Sequence, residues 1–287
     1  MRRVLVLATT IVTSIVWIPS ARAGMIVSNV AHGILTVNGT TEGDDITVRC
    51  ESGQVTVNHD HPSGGPTACA ALRRILVFAG EGSDRVNLGD VTLNAFDRLT
   101  ATSASGQAGD DALIGSEIGD ELVGGGGVDS LRGGRGSDHL TPGPGGGGAN
   151  GGKGRDTVAV AGDGDWNIND ARVRLVQADE VTTLASIEIA AVTGGPGANV
   201  ISGGSFTGNL RLKGRGGGDL LQAGTGDDRI LGGDGNDFVQ AGDGDDELEG
   251  GVGDDSLSGE SGNDELSGGR GDDTCRGGPG ADSFVSC

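Results

Sequence analysis

The sequence predicts an all-β fold in which the chain winds as a β-solenoid of nine-residue units behind an N-terminal β cap. Three observations point to this class. Glycine supplies 59 of the 287 residues, without the three-residue period that typifies collagen. A unit of glycine, aspartate and an apolar residue recurs every nine residues in the C-terminal third. Beyond a leader-like stretch at 1–23, no segment has a convincing helical period.

The unit is most regular in residues 214–287, which we term block two. Its pattern is G-G-x-G-x-D-x-U-x, where U is apolar, and its positions are numbered 1 to 9 below. A glycine stands two residues before each aspartate and an apolar or near-apolar residue two residues after it. The block-two aspartates, spaced nine apart, are Asp219, Asp228, Asp237, Asp246, Asp255, Asp264, Asp273 and Asp282.

A looser run of the same unit, block one, occupies residues 106–160. Its aspartates are Asp111, Asp120, Asp129, Asp138 and Asp156, and Gly147 takes the place of an acid. The separation of Asp156 and Asp219 along the sequence is a whole multiple of the unit. That spacing is either a coincidence or the sign of one continuous coil.

The rest of the chain carries weaker signals. Residues 24–105 read as a β-rich start and cap, in which single degenerate units include Asp45 and Asp84. At both positions a solvated turn and a metal ligand are equally good interpretations. Residues 161–213 read as strands that bridge the blocks and continue the solenoid, with Asn199 replacing the acid in one unit.

The residue types of the unit suit a coil that binds metal. Side chains alternate faces along a strand, so U points inward, and glycine permits the tight turn between strands. If two units make one circuit, residues two units apart stack at about 4.8 Å and the aspartates form two columns. Stacked carboxylates repel by about 1 kcal/mol per pair in water. A divalent cation between turns removes that repulsion.

Calcium fits these columns best, because it takes six to eight oxygen ligands in flexible geometry, including carbonyl oxygens. Magnesium demands a stricter octahedron and keeps its waters. The alternative is a glycine-rich acidic linker without metal. This alternative is weaker for block two than for block one, whose units are damaged.

In these units the chain resembles the RTX, or haemolysin-type calcium-binding repeat, family over 106–160 and 214–287. The resemblance implies a right-handed parallel β-roll with Ca²⁺ held between consecutive turns. It also implies that the position-6 aspartates of both blocks donate carboxylates and that turn glycines donate carbonyls. Many such proteins are exported through an uncleaved C-terminal signal, whereas this chain shows a cleavable N-terminal pattern.

Residues 1–23 read as a secretory signal peptide. Arg2 and Arg3 precede an apolar stretch at 4–18, and Ala21-Arg22-Ala23 forms an A-x-A cleavage site. The alternative is an N-terminal membrane anchor. No later stretch is apolar enough to span a bilayer, so we expect a secreted, extracellular protein without a membrane span after cleavage.

Secretion permits disulfides among the four cysteines, for which three pairings exist. The local pairs Cys50–Cys69 and Cys275–Cys287 are favoured, and the second would staple the last repeat to the C-terminus. Free thiols are the alternative, and zinc is weaker because no C-x-x-C pair is present.

Composition and motifs also bound the function. A formal net charge of −21 argues against nucleic acid as a partner. The sequence lacks H-E-x-x-H and G-x-S-x-G, and its one histidine cluster, at 59–61, lies in a polar loop. The sequence therefore predicts a non-enzymatic calcium-binding protein that folds on metal binding. The alternatives are an adhesion protein, with a cell-envelope or matrix partner, that uses the coil as a spacer, and an enzyme with a site in 24–105 or 161–213.

Overall fold

The structure of this chain is a computed structural model that describes residues 26–178 and 180–287. The predicted signal peptide lies outside the described residues. The described chain consists of short β-strands and one turn of 3₁₀ helix at Cys69–Ala71. Within it, no helix is long and apolar enough to cross a membrane. The all-β prediction is confirmed.

The strands of the N-terminal region and block one follow in chain order. The first seven are β1 (Val27–Ala31), β2 (Ile34–Asn38), β3 (Asp45–Glu51), β4 (Gln54–Val57), β5 (Arg74–Glu81), β6 (Arg85–Asn87) and β7 (Ala101–Ala108). The next six are β8 (Ala112–Ile114), β9 (Asp120–Gly126), β10 (Asp129–Arg135), β11 (His139–Thr141), β12 (Gly147–Lys153) and β13 (Thr157–Ala161).

The bridging segment and block two supply the remaining strands. The first six are β14 (Trp166–Asn169), β15 (Arg172–Leu175), β16 (Glu180–Ala185), β17 (Ile189–Thr193), β18 (Val200–Ser205) and β19 (Asn209–Gly216). The last eight are β20 (Leu220–Gln222), β21 (Arg229–Asp234), β22 (Phe238–Asp243), β23 (Glu247–Val252), β24 (Ser256–Ser261), β25 (Glu265–Arg270), β26 (Thr274–Arg276) and β27 (Ser283–Val285).

These strands form two open sheets between which the chain alternates. The first sheet has the order β1-β2-β5-β7-β9-β11-β13-β17-β19-β21-β23-β25-β27. The second has the order β26-β24-β22-β20-β18-β14-β15-β16-β12-β10-β8-β6-β3-β4. Neighbours pair in parallel except in β1–β2, β3–β4, β14–β15 and β15–β16. This is the predicted parallel β-roll.

The U side chains fill the space between the sheets. In block two, Ile230 pairs with Leu248 and Leu248 with Leu266, and each step covers two units, as one circuit requires. All three are at most 1% exposed. The opposite sheet stacks Leu221, Val239 and Leu257 in the same way, so one thin apolar core runs along the coil.

Both ends of the coil carry a disulfide. Cys50 in β3 bonds to Cys69 in the 3₁₀ turn, beside the antiparallel pairs that cap the N-terminal end. Cys275 in β26 bonds to Cys287, which holds the last strands to the C-terminus. These are the two pairs that the sequence favoured.

The coil runs through 161–213, but its circuits there are irregular. Thr157 pairs with Ile189 and Ile189 with Asn209, and both steps are longer than the two units of a regular circuit. In the second sheet β14, β15 and β16 lie between β12 and β18, whereas only β17 lies between β13 and β19 in the first. The second sheet therefore holds two additional strands at this point.

The two blocks are out of register by two residues in the first sheet. The U residues Leu122, Leu140 and Val158 of block one form one column, which continues through Ala190 and Leu210. Leu212 pairs with Ile230, so Leu210, two residues earlier, lies beside Asp228. The U column of block one is therefore followed by a position-6 residue of block two. The whole-unit spacing of Asp156 and Asp219 is therefore a coincidence and does not reflect an unbroken stack of units.

We predict that Leu248→Ala destabilises the calcium-loaded coil by about 2–5 kcal/mol, because it leaves a cavity in a fully packed position. Denaturant unfolding in saturating calcium measures the change. Leu220→Ala is the matched control, since Leu220 is 40% exposed in the same block. Equal destabilisation by both substitutions would contradict the assignment of U as the core position.

Candidate metal centre

The predicted aspartates line the turns in columns, and all but Asp273 and Asp282 stand two residues before a buried U residue. Eleven of the thirteen are buried, with 0–3% of their surface exposed, and Asp273 and Asp282 at the open C-terminal end are half-buried. Block one has columns of Asp111 with Asp129 and of Asp120, Asp138 and Asp156. Block two has columns of Asp219, Asp237, Asp255 and Asp273 and of Asp228, Asp246, Asp264 and Asp282.

One oxygen of every predicted column carboxylate except that of Asp120 ties successive turns together. The backbone N–H of Asp219 donates to Oδ1 of Asp237 at 2.8 Å, and the N–H of Asp237 donates to Oδ1 of Asp255 at 2.8 Å. The same bond joins Asp120 to Asp138 and Asp228 to Asp246. Each of these accepting carboxylates is thus held by the preceding turn of the coil.

The second oxygen of nearly every column carboxylate is buried and has no hydrogen-bond donor. These Oδ2 atoms belong to Asp84, Asp111, Asp129, Asp138, Asp156, Asp219, Asp228, Asp237, Asp246, Asp255, Asp264 and Asp273. An unpaired charged oxygen away from water is costly unless a cation compensates it. A row of such atoms is therefore the signature of a cation site.

Backbone carbonyl oxygens face these orphaned oxygens from the next turn. A Cβ atom built on Gly232 would lie 2.2 Å from Oδ2 of Asp237 and 2.6 Å from the carbonyl oxygen of Gly250. Gly214 shows the same geometry toward Asp219 and the carbonyl of Gly232. At these two glycines an added Cβ atom would clash with both oxygens, and a mixed carboxylate and carbonyl set is what Ca²⁺ prefers.

Side chains alone do not complete such a site. Among residues 26–178 and 180–287, no three His, Cys, Asp or Glu side chains come together as a metal-binding group. The histidines of the 59–61 cluster are engaged elsewhere. His59 Nδ1 lies 2.8 Å from Glu51 Oε1, and His61 Nδ1 lies 3.2 Å from the carbonyl of Val55.

The backbone at position 2 decides whether Oδ2 has a donor. Where this residue has a left-handed φ, as at Gly233 (+125°) and Gly251 (+119°), the Oδ2 four residues later is orphaned. Where the position-2 residue lies outside the left-handed region, its N–H can donate to that Oδ2. The N–H of Ser116, for example, donates to Oδ2 of Asp120 at 2.6 Å. Asp228 falls between the two groups, since Gly224 lies outside the left-handed region and its backbone N–H lowers the pKa of the Asp228 carboxyl, but no full hydrogen bond reaches Oδ2.

Three non-glycine residues adopt the left-handed φ at position 2. They are Gln107 (+80°), Arg215 (+83°) and Glu260 (+74°), which precede Asp111, Asp219 and Asp264. The conformation costs about 1–2 kcal/mol for an L-residue. These three residues nevertheless adopt the left-handed conformation. The Oδ2 atoms of the aspartates that follow them lack a donor, as in the turns with glycine at position 2.

A second ladder runs along the exposed side of the turns at position 5. The N–H of Asp272 donates to Oδ1 of Asp254 at 3.0 Å, and the N–H of Asn263 donates to Oδ1 of Asp245 at 2.8 Å. These bonds run from the later turn to the earlier one, opposite to the inner column. Either Asp or Asn supplies the required acceptor, as Asn236 does for Asp254.

Burial raises the pKa of the inner carboxylates in the absence of metal. It raises the pKa of Asp228 and of Asp138 to about 7, with further contributions from the charges of Asp246 and Asp156, respectively. It raises the pKa of Asp237 to about 6, where Asp219 and Asp255 add to the effect. The hydrogen bond from the preceding turn opposes each shift but does not cancel it.

The structure adds two details to the sequence interpretation. Ile46 pairs with Val86, so the acid two residues earlier is Asp44, and Asp45, for which the sequence left a solvated turn and a ligand open, is exposed at the start of β3. Next to Asp156, Glu188 takes the position of an acid in the following circuit and accepts the N–H of Asp156 at 2.8 Å. The two-residue spacing of Asp44 and Ile46 could have identified Asp44 from the sequence. No sequence pattern identifies Glu188 as an acid of the column.

Asn199 shows how a turn closes without an acid. Its Oδ1 accepts the N–H of Gly195 at 2.8 Å, and its Nδ2 donates to Oδ1 of Asp163 at 3.1 Å. Asn199 is 1% exposed, so an amide is sterically accepted at position 6 and leaves no orphaned oxygen there.

Fold and turn geometry define this chain as a β-roll protein with repeated oxygen-lined turns. The family model of the RTX calcium-binding nonapeptide repeat matches it in four copies, at residues 105–140, 114–149, 213–248 and 249–284. The chain therefore carries RTX-type calcium-binding repeats over these residues, which make up less than half of its length. A search of the curated proteins found no significant match.

We predict that the calcium-free protein becomes more compact on acidification. The folded pKa values of about 6 to 7 for Asp237 and Asp228 lie above the ordinary value of 3.8. The calcium-free folded state therefore binds more protons than the unfolded state, and its stability is greatest near or below pH 4 and falls as pH rises through about 7. Circular dichroism of calcium-depleted protein across this range checks the prediction.

High salt provides the control for that titration, because it screens repulsion among exposed charges but affects buried groups much less. We expect the acid-induced β signal to persist in high salt. A folded fraction that rises with pH in the absence of calcium would contradict the assignment.

Proposed function

We propose that this is a secreted, non-enzymatic calcium-binding protein whose repeat turns fold when Ca²⁺ enters them. The observation that carries the proposal is the row of buried, donor-less Oδ2 atoms, each facing the next turn of the coil. Protein groups leave these oxygens unpaired, and a divalent cation satisfies them. The match to RTX calcium-binding repeats over both blocks supports the same ion.

The ligands that we propose are the position-6 carboxylates together with position-1 carbonyls of the adjoining turn. Eleven of the thirteen aspartates that the sequence predicts have the orphaned Oδ2. Asp120 differs because Ser116 bonds its carboxylate through both N–H and hydroxyl. Asp282 differs because it is only half-buried, and its Oδ2 is not among the buried oxygens without a donor.

Calcium acts on folding because only the wound coil brings these oxygens together. A ligand that binds the native state alone stabilises it by about 2.7 kcal/mol per site at a concentration one hundred times its Kd. Neighbouring sites are coupled, since the carboxylate at each turn also accepts the N–H of the turn before it. Filling one site orders the framework of the next, so binding and folding are cooperative.

Secretion is supported by the leader pattern at 1–23 and by the two disulfides, which persist in oxidising compartments. The extracellular medium supplies calcium at millimolar levels, within the range that extracellular modules use. The non-enzymatic assignment is supported by the repeat, which accounts for the abundant acids as structural ligands.

We predict that the purified chain gains β-sheet signal by circular dichroism when calcium is added and loses it on chelation with EGTA. Magnesium at the same concentration is the control, and we expect a smaller effect because Mg²⁺ retains its waters. An equally folded spectrum in excess EGTA at neutral pH would overturn the proposed mechanism.

We predict that Asp246→Asn combined with Asp264→Asn lowers calcium affinity on the order of tenfold or more and reduces cooperativity. Each substitution keeps Oδ1 as an acceptor and removes the anionic Oδ2. Isothermal titration calorimetry measures both quantities.

The matched control is Asp245→Asn combined with Asp254→Asn, which removes the same charge from the exposed position-5 ladder. Asn already occupies position 5 at Asn236 and Asn263, so this variant should keep the parental affinity to within about twofold. Equal losses in the two double variants would indicate a general charge effect and not a specific site.

A further inference from the structure

An acid column extends beyond the repeat matches into the N-terminal region. Ile46 pairs with Val86, and Val86 with Leu113, although neither pair is separated by the two units of a regular circuit. All three are 0% exposed and lie in the column of block-one U residues in the second sheet, which continues to Leu131. The acids two residues earlier, Asp44 and Asp84, therefore stack on Asp111 although no tandem run of nine-residue units joins them.

Hydrogen bonds of the inner-column type join these acids. The N–H of Asp44 donates to Oδ1 of Asp84 at 2.7 Å, and the N–H of Asp84 donates to Oδ1 of Asp111 at 2.8 Å. The bond from Asp111 to Asp129, inside the matched repeats, has a length of 2.9 Å. The three steps are equivalent, so the column is continuous across the boundary of the repeat match.

The turn before Asp84 has the backbone of a regular repeat. Its position-2 and position-4 glycines, Gly80 and Gly82, have φ of +122° and +104°. A Cβ built on Gly109 would lie 2.0 Å from the carbonyl oxygen of Gly82, and one on Gly127 would lie 2.2 Å from that of Gly109. The position-4 glycines thus stack from Gly82 onward as closely as they do within the repeats.

The oxygen environment of Asp84 is that of a site and not of a solvated turn. Asp84 is 3% exposed, and its Oδ2 is buried without a donor. Ala79 stands at position 1 of this turn, as Ala223 and Ala241 do before Asp228 and Asp246 in block two. Alanine at position 1 is therefore also found in the regular repeats of block two.

Asp44 marks where the column ends. The N–H of Thr40 donates to Oδ2 of Asp44 at 2.6 Å, so that carboxylate has no orphaned oxygen. A Cβ on Gly39 would lie 2.6 Å from Oδ2 of Asp44 and 1.8 Å from the carbonyl of Ala79. The packing matches a repeat, but the oxygen is already satisfied by the chain.

We propose that Asp84 is the acidic ligand of a further Ca²⁺ site, which lies between its own turn and the turn of Asp111 and outside the residues that the RTX repeat matches. The inference rests on the proposed function, since it assigns the same ion to the same oxygen chemistry. Its consequence is that calcium also fastens the disulfide-bonded N-terminal cap to the coil, through turns that are not in tandem.

Native mass spectrometry of the folded, disulfide-bonded chain in saturating calcium tests the proposal by counting bound ions. We expect Asp84→Asn to bind about one ion fewer than the parent. Asn199 shows that an amide is accepted at position 6, so this variant keeps the fold. Asp246→Asn is the positive control, and Asp45→Asn, which removes an exposed acid next to Asp44, is the matched negative control.

A parental ion count for Asp84→Asn, alongside a reduced count for Asp246→Asn, would overturn this inference and leave the proposed function intact. A parent that binds no calcium would overturn both. Hydrogen exchange of the unmodified chain is a second test. We expect calcium to slow the exchange of the backbone amide protons of Asp44 and Asp84. Unchanged exchange there, with slowing at Asp237, would also overturn the site.

Discussion

The structure depends on a buried carboxylate oxygen, present in most turns, that no protein group satisfies. The same carboxylate has a firmly held Oδ1, bonded by the preceding turn, so the unpaired Oδ2 cannot rotate into solvent without breaking the ladder. For Asp237 and its neighbours the choice is then between protonation, unfolding and a cation. In the function that we propose, the cation is the alternative that preserves the fold at neutral pH, so metal binding and winding of the coil are one process.

The glycine pattern follows from this constraint. A left-handed residue at position 2 turns its N–H away from the acid, and glycine adopts that conformation without strain. Gln107, Arg215 and Glu260 adopt it as well, at a cost that a purely structural turn would avoid. Ser116 shows the alternative, in which an ordinary backbone donates to Asp120. The turns thus divide into those that satisfy their own acid and those that leave it for an ion.

The sequence predicts most of the fold where the nine-residue period is unbroken, because that period alone determines which residues stack. Asp219 to Asp282 and their inward U residues follow from it directly. Where the period breaks, the register depends on circuit length, which the sequence does not mark. The stacking of Val86 on Ile46 across the β3–β4 hairpin and β5, the two-residue offset before Asp228 and the added β14–β15 pair are examples. The position of Asp44 was readable from its distance to Ile46, whereas the role of Glu188 was not.

The bridging segment separates the acid columns of block one from those of block two, and its core contains larger side chains. Asn199 and Leu210 stand where the columns of block two would otherwise begin with an acid, and both are at most 1% exposed. Trp166 and Phe206, each at most 5% exposed, supply the large side chains that the glycine-rich turns lack. In a solenoid, each turn depends mainly on its neighbours. This stretch therefore gives each block a neighbour whose core is packed with large apolar side chains.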